Sequence, residues 1–532
     1  MHPLTDVIVL LCISINYVVC SDGCFSRHYP GQDSFVCICH QRKCETLPKH
    51  LSKIAEHQVV SYESDVKKYR FHKEIIDLAS YNDHASRGPK SDVIQIKVDP
   101  SQLGGEIFGF GAAFTDAAGI NILKLPTPLQ DRLMRDYFDQ DGLEYTMGRV
   151  PIGGTDFSDR NYSLADHPDD FELKHFSLTH DDHLYKIPFI KKARKLSPSL
   201  RLMALSWASP GWMKTSKKMD SMGILIGLPG GLYWQLYAKY MIKFLDAYKK
   251  EGVEFWAIST GNEPAMGMMP DFSYKALGFS PEMLRDFVKI DLGPALKSAG
   301  YEPGEKIKVL MFDDMTDRLE TYAYAVLSDP EAAKYVSGIA THWYNNRFPR
   351  NYPYDILTQT RKLYPDQFLI MTEACDGLKQ GVALGNWTRA ENYAIDIIEN
   401  LNRGVKGWLD WNMALNPQGG PNWSKNYVDA TIIINETAKE YYRQPMYYTL
   451  AHFTKFLPPR SALIGHTVFN DDPNLYVTTF LDNDRNLIAV ILNTNNHPLK
   501  LDIEGFTYKR LSITMKAHSI KTLVTKLIPF RY

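Results

Sequence analysis

Two glutamates stand in matching surroundings. Residues 256–264 read WAISTGNEP, in which a short bulky run around Trp256 and Ile258 gives way to small polar residues and then Asn262, Glu263 and Pro264. Residues 367–377 read QFLIMTEACDG, with the apolar run 368–371 ending at Glu373. Each run has the length and residue types of a buried strand. A carboxylate at the C-terminal lip of such a strand is where a parallel barrel keeps its chemistry. Two of them facing one mouth would supply a proton donor and a nucleophile or base, the pair that glycoside hydrolysis needs. Taken singly, each is read as an ordinary strand-end carboxylate facing water. Pro264 biases Glu263 away from the right-handed helical region, and Asn262 adds an amide that can hold a sugar hydroxyl.

The elements that must position these groups recur along the chain. Strand candidates fall at 108–116, 143–152, 201–207, 253–259, 307–312, 336–342, 367–372 and 405–411, with helical stretches such as 232–250 and 281–299 between them. Eight βα units predict an α/β fold of the (β/α)8 TIM-barrel type. The glycine-rich FGFG at 108–111 lacks the third glycine and acidic residue of a dinucleotide fingerprint, so it is read as the first barrel strand. The strand ends carry polar or aromatic groups together: Arg149, Asp156, Trp207, Asn262, His342, Tyr344, Asp410, Trp411 and Asn412. Asp and Asn suit the hydroxyl edge of a sugar, and Trp and Tyr its faces. Asp313 and Asp314 are read as helix caps outside the site.

The flanks complete the domain plan. Residues 461–532 are β-rich, with strand candidates at 474–481, 487–492 and 511–516, and 93–98 alternates like a half-buried strand that can pair with them. The predicted boundaries are 1–20 for a signal peptide, 21–50 for a small N-terminal β module, 51–103 with 461–532 for an accessory β-sandwich domain, and 104–460 for the barrel. Cys24, Cys37, Cys39 and Cys44 crowd into the N-terminal module, which in a secreted chain reads as two disulfides. Zinc, with His40 adjacent, is the rival reading, although Cys37-Ile38-Cys39 is tighter than the usual ligand pairs. Cys375 is left as a free thiol beside Glu373.

With 532 residues and 44% hydrophobic content the chain can bury a large core, and its formal charge of −1 gives no electrostatic basis for binding nucleic acid. The apolar run at 7–19 has signal-peptide length but lacks a basic n-region, and it is too short for a comfortable membrane span. Sequons occur at Asn161, Asn386, Asn422 and Asn435. No metal-ligand motif of the HExxH kind is present, and no cofactor is expected.

The stretches FGFGAAFTDAAG, RVPIGGTDFS, SWASPGWMK, FWAISTGNEP, TEACDG and GWLDWNMALNPQGGPNW, together with SFVCIC and KFLPPRS, resemble the acid β-glucosidases, or glucosylceramidases, of glycoside hydrolase family 30. The resemblance spans nearly the whole chain after residue 20. It implies a retaining reaction with Glu263 as acid/base and Glu373 as nucleophile. It implies glucose binding by Asp156, Trp207, Asn262, Trp411 and Asn426, with Tyr344 and His342 beside the nucleophile and Arg149 buried behind it. It places Asn422 close to the active-site mouth, which makes that sequon a poor one for glycosylation. It pairs Cys24 with Cys37 and Cys39 with Cys44, in a module completed by about 413–444. The implied substrate is glucosylceramide at a membrane surface in the lysosome, reached through the secretory pathway, with secretion as the alternative. A saposin-type activator protein and anionic lipid are implied partners. A family member acting on a soluble β-glucan or β-xyloside, and a catalytically silent sugar- or lipid-binding relative, are the competing readings. Gly261 departs from the charged residue of mammalian members, which bears on activator coupling and pH optimum.

Overall fold

A computed structural model describes residues 24–48, 54–80, 93–346 and 354–527. The signal-peptide reading of residues 1–20 lies outside the described residues. Eight parallel strands close a barrel in chain order: β1 (Gly109–Ala113), β2 (Met147–Ile152), β3 (Arg201–Ser206), β4 (Ala257–Ser259), β5 (Lys308–Met315), β6 (Gly338–His342), β7 (Phe368–Glu373) and β8 (Val405–Asn412). They are buried almost throughout, because helices cover the outside and side chains fill the inside. Met147, Met203, Ala257, Leu310, Ala340, Ile370 and Leu409 pack together, and Phe108, Trp256 and Phe368 lie against them. The barrel is therefore a filled core whose chemistry is confined to its C-terminal lip.

Several strands differ from the sequence expectation: 108–116 and 143–152 form strands only over Gly109–Ala113 and Met147–Ile152, and two more depart further. The run 253–259 yields only three strand residues, since Phe255 turns outward onto Phe244 and Tyr248. Strand β5 runs past Phe312 to Met315, and its register with β6 shifts between Phe312 and Asp314. Phe312 and Asp313 have φ of 78° and 60°, a left-handed conformation uncommon for residues other than glycine. A bulge of this kind re-aims the side chains beyond it, and here it turns Asp313 into the barrel mouth.

A nine-stranded antiparallel-rich sheet takes Gln58–Asp65, His72–Asp77 and Ile94–Glu106 from before the barrel and six strands from after it. The expected pairing of 93–98 is seen: Ile94–Glu106 lies between Ala462–Phe469 and Leu499–Glu504. Its own core includes Val59, Ile96, Ile464, Leu487, Leu501 and Leu523. The third sheet joins Ser26–His28 and Phe35–His40 to Glu440–Arg443, Ile432–Asn435 and Ala414–Leu415. Disulfides Cys24–Cys37 and Cys39–Cys44 staple it, so these sulfurs are not zinc thiolates. Cys375 is a buried thiol outside both disulfides, its Sγ 3.4 Å from the Tyr344 hydroxyl.

Candidate active site

Glu373 ends β7 with both carboxylate oxygens occupied. Arg149, from β2, donates to Oε2, and the Tyr344 hydroxyl donates to Oε1 at 2.7 Å. Burial pushes the Glu373 carboxyl upward, while His342, Arg149 and the Tyr344 hydroxyl pull it back toward the ionised form. Arg149 is itself buried. Its other terminal nitrogen reaches Asn262 Oδ1 at 2.7 Å and Asp313 Oδ1 at 3.1 Å, and its guanidinium lies over the Trp207 and Trp411 rings. One cation thus fixes the nucleophile candidate, the amide and the aromatic wall together.

Glu263 follows β4 across the mouth. Its backbone has φ of 48°. The expectation that Pro264 keeps it out of the right-handed helical region holds, but the chain takes the left-handed region rather than an extended one. Such a conformation costs on the order of 1–3 kcal/mol and persists only where surroundings over-determine it. Here the Glu263 amide donates to Asp313 O at 2.9 Å and the Asn262 amide to Ser206 O at 2.9 Å. The Ala265 amide donates to Asp314 Oδ2 at 2.8 Å.

His342 joins the two sides. Its Nδ1 lies 3.0 Å from Glu263 Oε1 and its Nε2 3.0 Å from Asp313 Oδ1. Burial alone would lower its pKa, but the carboxylates of Glu373, Asp313 and Glu263 push it up to about 10. This favours the protonated ring, in which both nitrogens donate. Burial opposes ionisation of Asp313, yet Arg149, His342 and the Thr372 hydroxyl, 2.6 Å from Oδ1, hold its carboxyl well below the usual range. Burial, and then the charge of Glu263, push Asp314 up to about 7. The reading of these two aspartates as helix caps outside the site is therefore corrected. Asp313 is the anion on which two buried cations converge, and Asp314 braces the turn that carries Glu263. The only sequence signal was a doubled aspartate at a strand end, and it does not reveal a bulge.

The cavity above these groups measures about 270 Å³. Asp156, Trp207, Asn262, Glu263, Tyr344, Glu373, Trp411 and Asn426 all line it; Arg149 and His342 lie beneath. Trp207 and Trp411 stack on one another with ring centroids 4.7 Å apart and both line the cavity. Asp156 Oδ2 accepts from Asn426 at 3.1 Å and Asn422 at 3.2 Å, while its buried Oδ1 has no protein partner. Burial pushes this carboxyl up to about 7. A buried, unpaired oxygen of this kind matches a ligand hydroxyl. Asn422 is 7% exposed and donates from its amide nitrogen to Asp156 and to Asn426 O, so a glycan has no room on it. Among the other sequons, Asn386 caps the helix Trp387–Asn402, Asn435 donates to Tyr442 Oη, and Asn161 is half-buried.

The outer part of the cavity was not anticipated. Met266, Phe272, Tyr274, Met315 and Leu378 give it an apolar mouth, and Lys275 supports one side. Lys275 is buried, and its ammonium spans two turns of the loop after β2, donating to Gly154 O at 2.8 Å and Tyr162 O at 2.5 Å.

One oxygen of Glu263, one of Glu373 and a ring nitrogen of His342 lie within 4.8 Å of one another. The group does not suit a metal, because Glu263 and Asp313 already occupy both ring nitrogens of His342 and Arg149 already neutralises Glu373. Two carboxyl groups this close, beside a stacked tryptophan pair and an unpaired carboxylate oxygen, can act on opposite ends of one glycosidic bond.

Comparison with known proteins agrees with this geometry. Residues 107–457 match the glycosyl hydrolase family 30 TIM-barrel domain, and residues 461–523 the family's β-sandwich domain. The chain is 41% identical over 498 residues to putative glucosylceramidase 4 of Caenorhabditis elegans, covering 92% of this chain and 93% of that protein. It is 38% identical over 514 residues to the lysosomal acid glucosylceramidase of Mus musculus, covering 96% of each. Among solved structures, SrfJ from Salmonella typhimurium superposes with a TM-score of 0.79 at 25% identity, over 88% of this chain and all of that one. This chain is a glycoside hydrolase and belongs to family 30, carrying both the barrel and the sandwich of that family.

Proposed function

We propose that this enzyme is a retaining β-glucosidase that hydrolyses glucosylceramide to glucose and ceramide in sphingolipid catabolism. The observation that carries the mechanism is the separation of the two carboxylates. Retaining enzymes hold them about 5–5.5 Å apart, inverting enzymes about 6.5–9.5 Å, and the approach of one oxygen of each to within 4.8 Å supports the closer, retaining arrangement. Glu373 attacks the anomeric carbon while Glu263 protonates the departing oxygen. The bond from carbon to the ceramide oxygen breaks as the ester to Glu373 forms. Glu263 then takes a proton from water, which displaces Glu373 and releases glucose. Arg149 and Tyr344 hold Glu373 as the anion by donating to both its oxygens. Asp156, Asn262 and Asn426 hold hydroxyls, and Trp207 with Trp411 covers a ring face. The apolar mouth suits a lipid aglycone. The likeness to a lysosomal relative supports action in that compartment, at the lumenal membrane face and aided by anionic lipid and a saposin-type activator. Among the described residues no helix is long and apolar enough to cross a membrane.

Purified enzyme incubated with glucosylceramide in anionic vesicles at acid pH, with and without activator, is expected to yield glucose and ceramide. A mechanism-based inositol epoxide should label Glu373, and Glu373→Gln should lose at least ~10³-fold in turnover. Preferential turnover of soluble β-glucan or xylan would overturn the substrate, and absence of labelling would overturn the nucleophile.

A further inference from the structure

A second cavity, of about 280 Å³, shares no lining residue with the active site. One wall is the turn at Asn416, Pro417 and Gln418. The other is the tip of the hairpin made by Ile432–Asn435 and Glu440–Arg443. Asn121, from the helix Asp116–Leu123, closes the floor.

Asn121 is fully buried. Its Nδ2 donates to Gly420 O at 2.8 Å and to Ala414 O at 3.4 Å, and these two carbonyls fix which end of the amide is nitrogen. The other end, Oδ1, is buried without a partner. A buried acceptor left unmet at the floor of a cavity calls for a donor from a ligand. The walls say what kind. Asn416, Gln418 and Thr437 bring neutral amides and a hydroxyl, and Pro417 and Ile434 bring small apolar patches. Glu436, the one charged residue of the lining, is exposed at the rim and paired with Lys124 at 2.8 Å. Such a lining suits an uncharged sugar ring rather than a phosphate or a cation, and the volume falls below the ~300–1,000 Å³ of pockets for drug-sized ligands.

A sugar-accepting group stands on the rim. Asn435-Glu436-Thr437 is a sequon, and all three residues line the cavity. Residues 436–439 form the exposed tip of the hairpin. Asn435 Oδ1 accepts the Ala438 amide at 3.0 Å, which folds the tip. Its Nδ2 spends one proton on Tyr442 Oη at 2.9 Å, and the second has no protein partner. A glycosyl bond replaces only one of the two.

We infer that Asn435 carries an N-linked glycan whose first N-acetylglucosamine sits in this cavity and donates to Asn121 Oδ1. The donor is a lipid-diphosphate-linked oligosaccharide of the secretory pathway. Asn435 Nδ2 forms the bond to C1 of the sugar, the bond from C1 to the diphosphate oxygen breaks, the diphosphate leaves with the electron pair, and one Nδ2 proton is lost. The seated ring braces the turn Asn416–Gly420, in which Asn416 Oδ1 accepts the Gln418 and Gly420 amides at 3.0 and 2.9 Å. That turn leads to Asn422 and Asn426, the two donors to Asp156.

The full chain, directed into the secretory pathway of insect cells by an added signal sequence, is digested and its glycopeptides are sequenced by mass spectrometry. Asn435 should carry glycan in most molecules, and an unmodified Asn435 overturns the inference. Thr437→Ala removes the sequon and keeps both bonds of the Asn435 side chain, whereas Thr437→Ser keeps the sequon. Amide hydrogen exchange over residues 414–420 should be at least ~3-fold faster in Thr437→Ala than in the native chain or Thr437→Ser. Equal exchange in all three overturns the seat. Asn121→Leu, introduced into the native and the Thr437→Ala chains, should lower the melting temperature by about 2 °C more in the glycosylated one. Equal falls show that the sugar does not meet Asn121, and they overturn the seat as well. A glycan on Asn435 of a chain that releases no glucose from glucosylceramide overturns the substrate reading and leaves this inference standing.

Discussion

Asp313 shows how much one side chain can organise. It does not itself line the cavity, yet Arg149, His342 and Thr372 all meet its Oδ1. Replacing it by Asn removes the anion and leaves two buried cations short of a partner, a loss of roughly 3–5 kcal/mol when a buried pair is broken. Asp313→Asn should therefore lower the melting temperature, and it should also move the acid limb of the kcat/KM profile, because His342 and Arg149 act directly on Glu373. A fall in stability with an unmoved profile would confine Asp313 to a structural part. This residue was not legible in the sequence. The chemistry-bearing glutamates were, because each ends a continuous apolar run. Asp313 depends on a left-handed step at Phe312 that no local pattern announces.

At the scale of elements, the eight strands were readable because a parallel sheet buried on both faces writes itself as short apolar runs. The strand Ile94–Glu106 betrayed its open face through alternation. Loops are harder, since their packing is decided by distant partners. Lys275 illustrates this: a lysine in a loop is ordinarily solvated, but here it is buried against the turn that carries Asp156. Burial lowers its pKa to about 7, so at acid pH it is charged and spans two carbonyls. Lys275→Met keeps bulk and removes the donors. The Tyr162 carbonyl keeps the Gly154 amide at 3.3 Å, while the orphaned Gly154 carbonyl costs about 1–3 kcal/mol. If the effect falls on the position of Asp156, KM for an aryl glucoside should rise about tenfold with little change in kcat. Unchanged KM would show that the loop holds its place without the ammonium.

For the whole molecule, burial has left protons on carboxyl groups far above their unfolded range. Asp156, Asp314, Asp410 and Glu391 are each pushed up to about 7, burial being the largest cause in all four. Between about pH 4 and 7 the folded chain holds protons that the unfolded chain has released, so stability falls as pH rises. The raised His342 acts in the same sense, being fully stabilising below about 6.5 and losing that contribution toward 10. Buried His452, pushed down to about 3, opposes this below about 6.5, where its unfolded form is protonated. With the carboxyls in the majority, thermal unfolding should occur at a higher temperature at pH 5 than at pH 7.5. The reverse order would show that these carboxyls ionise freely in the folded state.

The third sheet sets a schedule for synthesis. Arg27 and Glu440, which pair across it, are 413 positions apart, a gap that a ribosome crosses in roughly 20–80 s at about 5–20 residues per second. The strand Phe35–His40 leaves the ribosome early and must wait for Glu440–Arg443, and strand Gln58–Asp65 waits longer still for Ser519–Lys526. The earliest-made segments are thus among the last to be sheltered, and throughout that interval Cys24, Cys37, Cys39 and Cys44 are open to mispairing. A truncation before residue 440 leaves the strand Phe35–His40 permanently without Glu440–Arg443 as its neighbour.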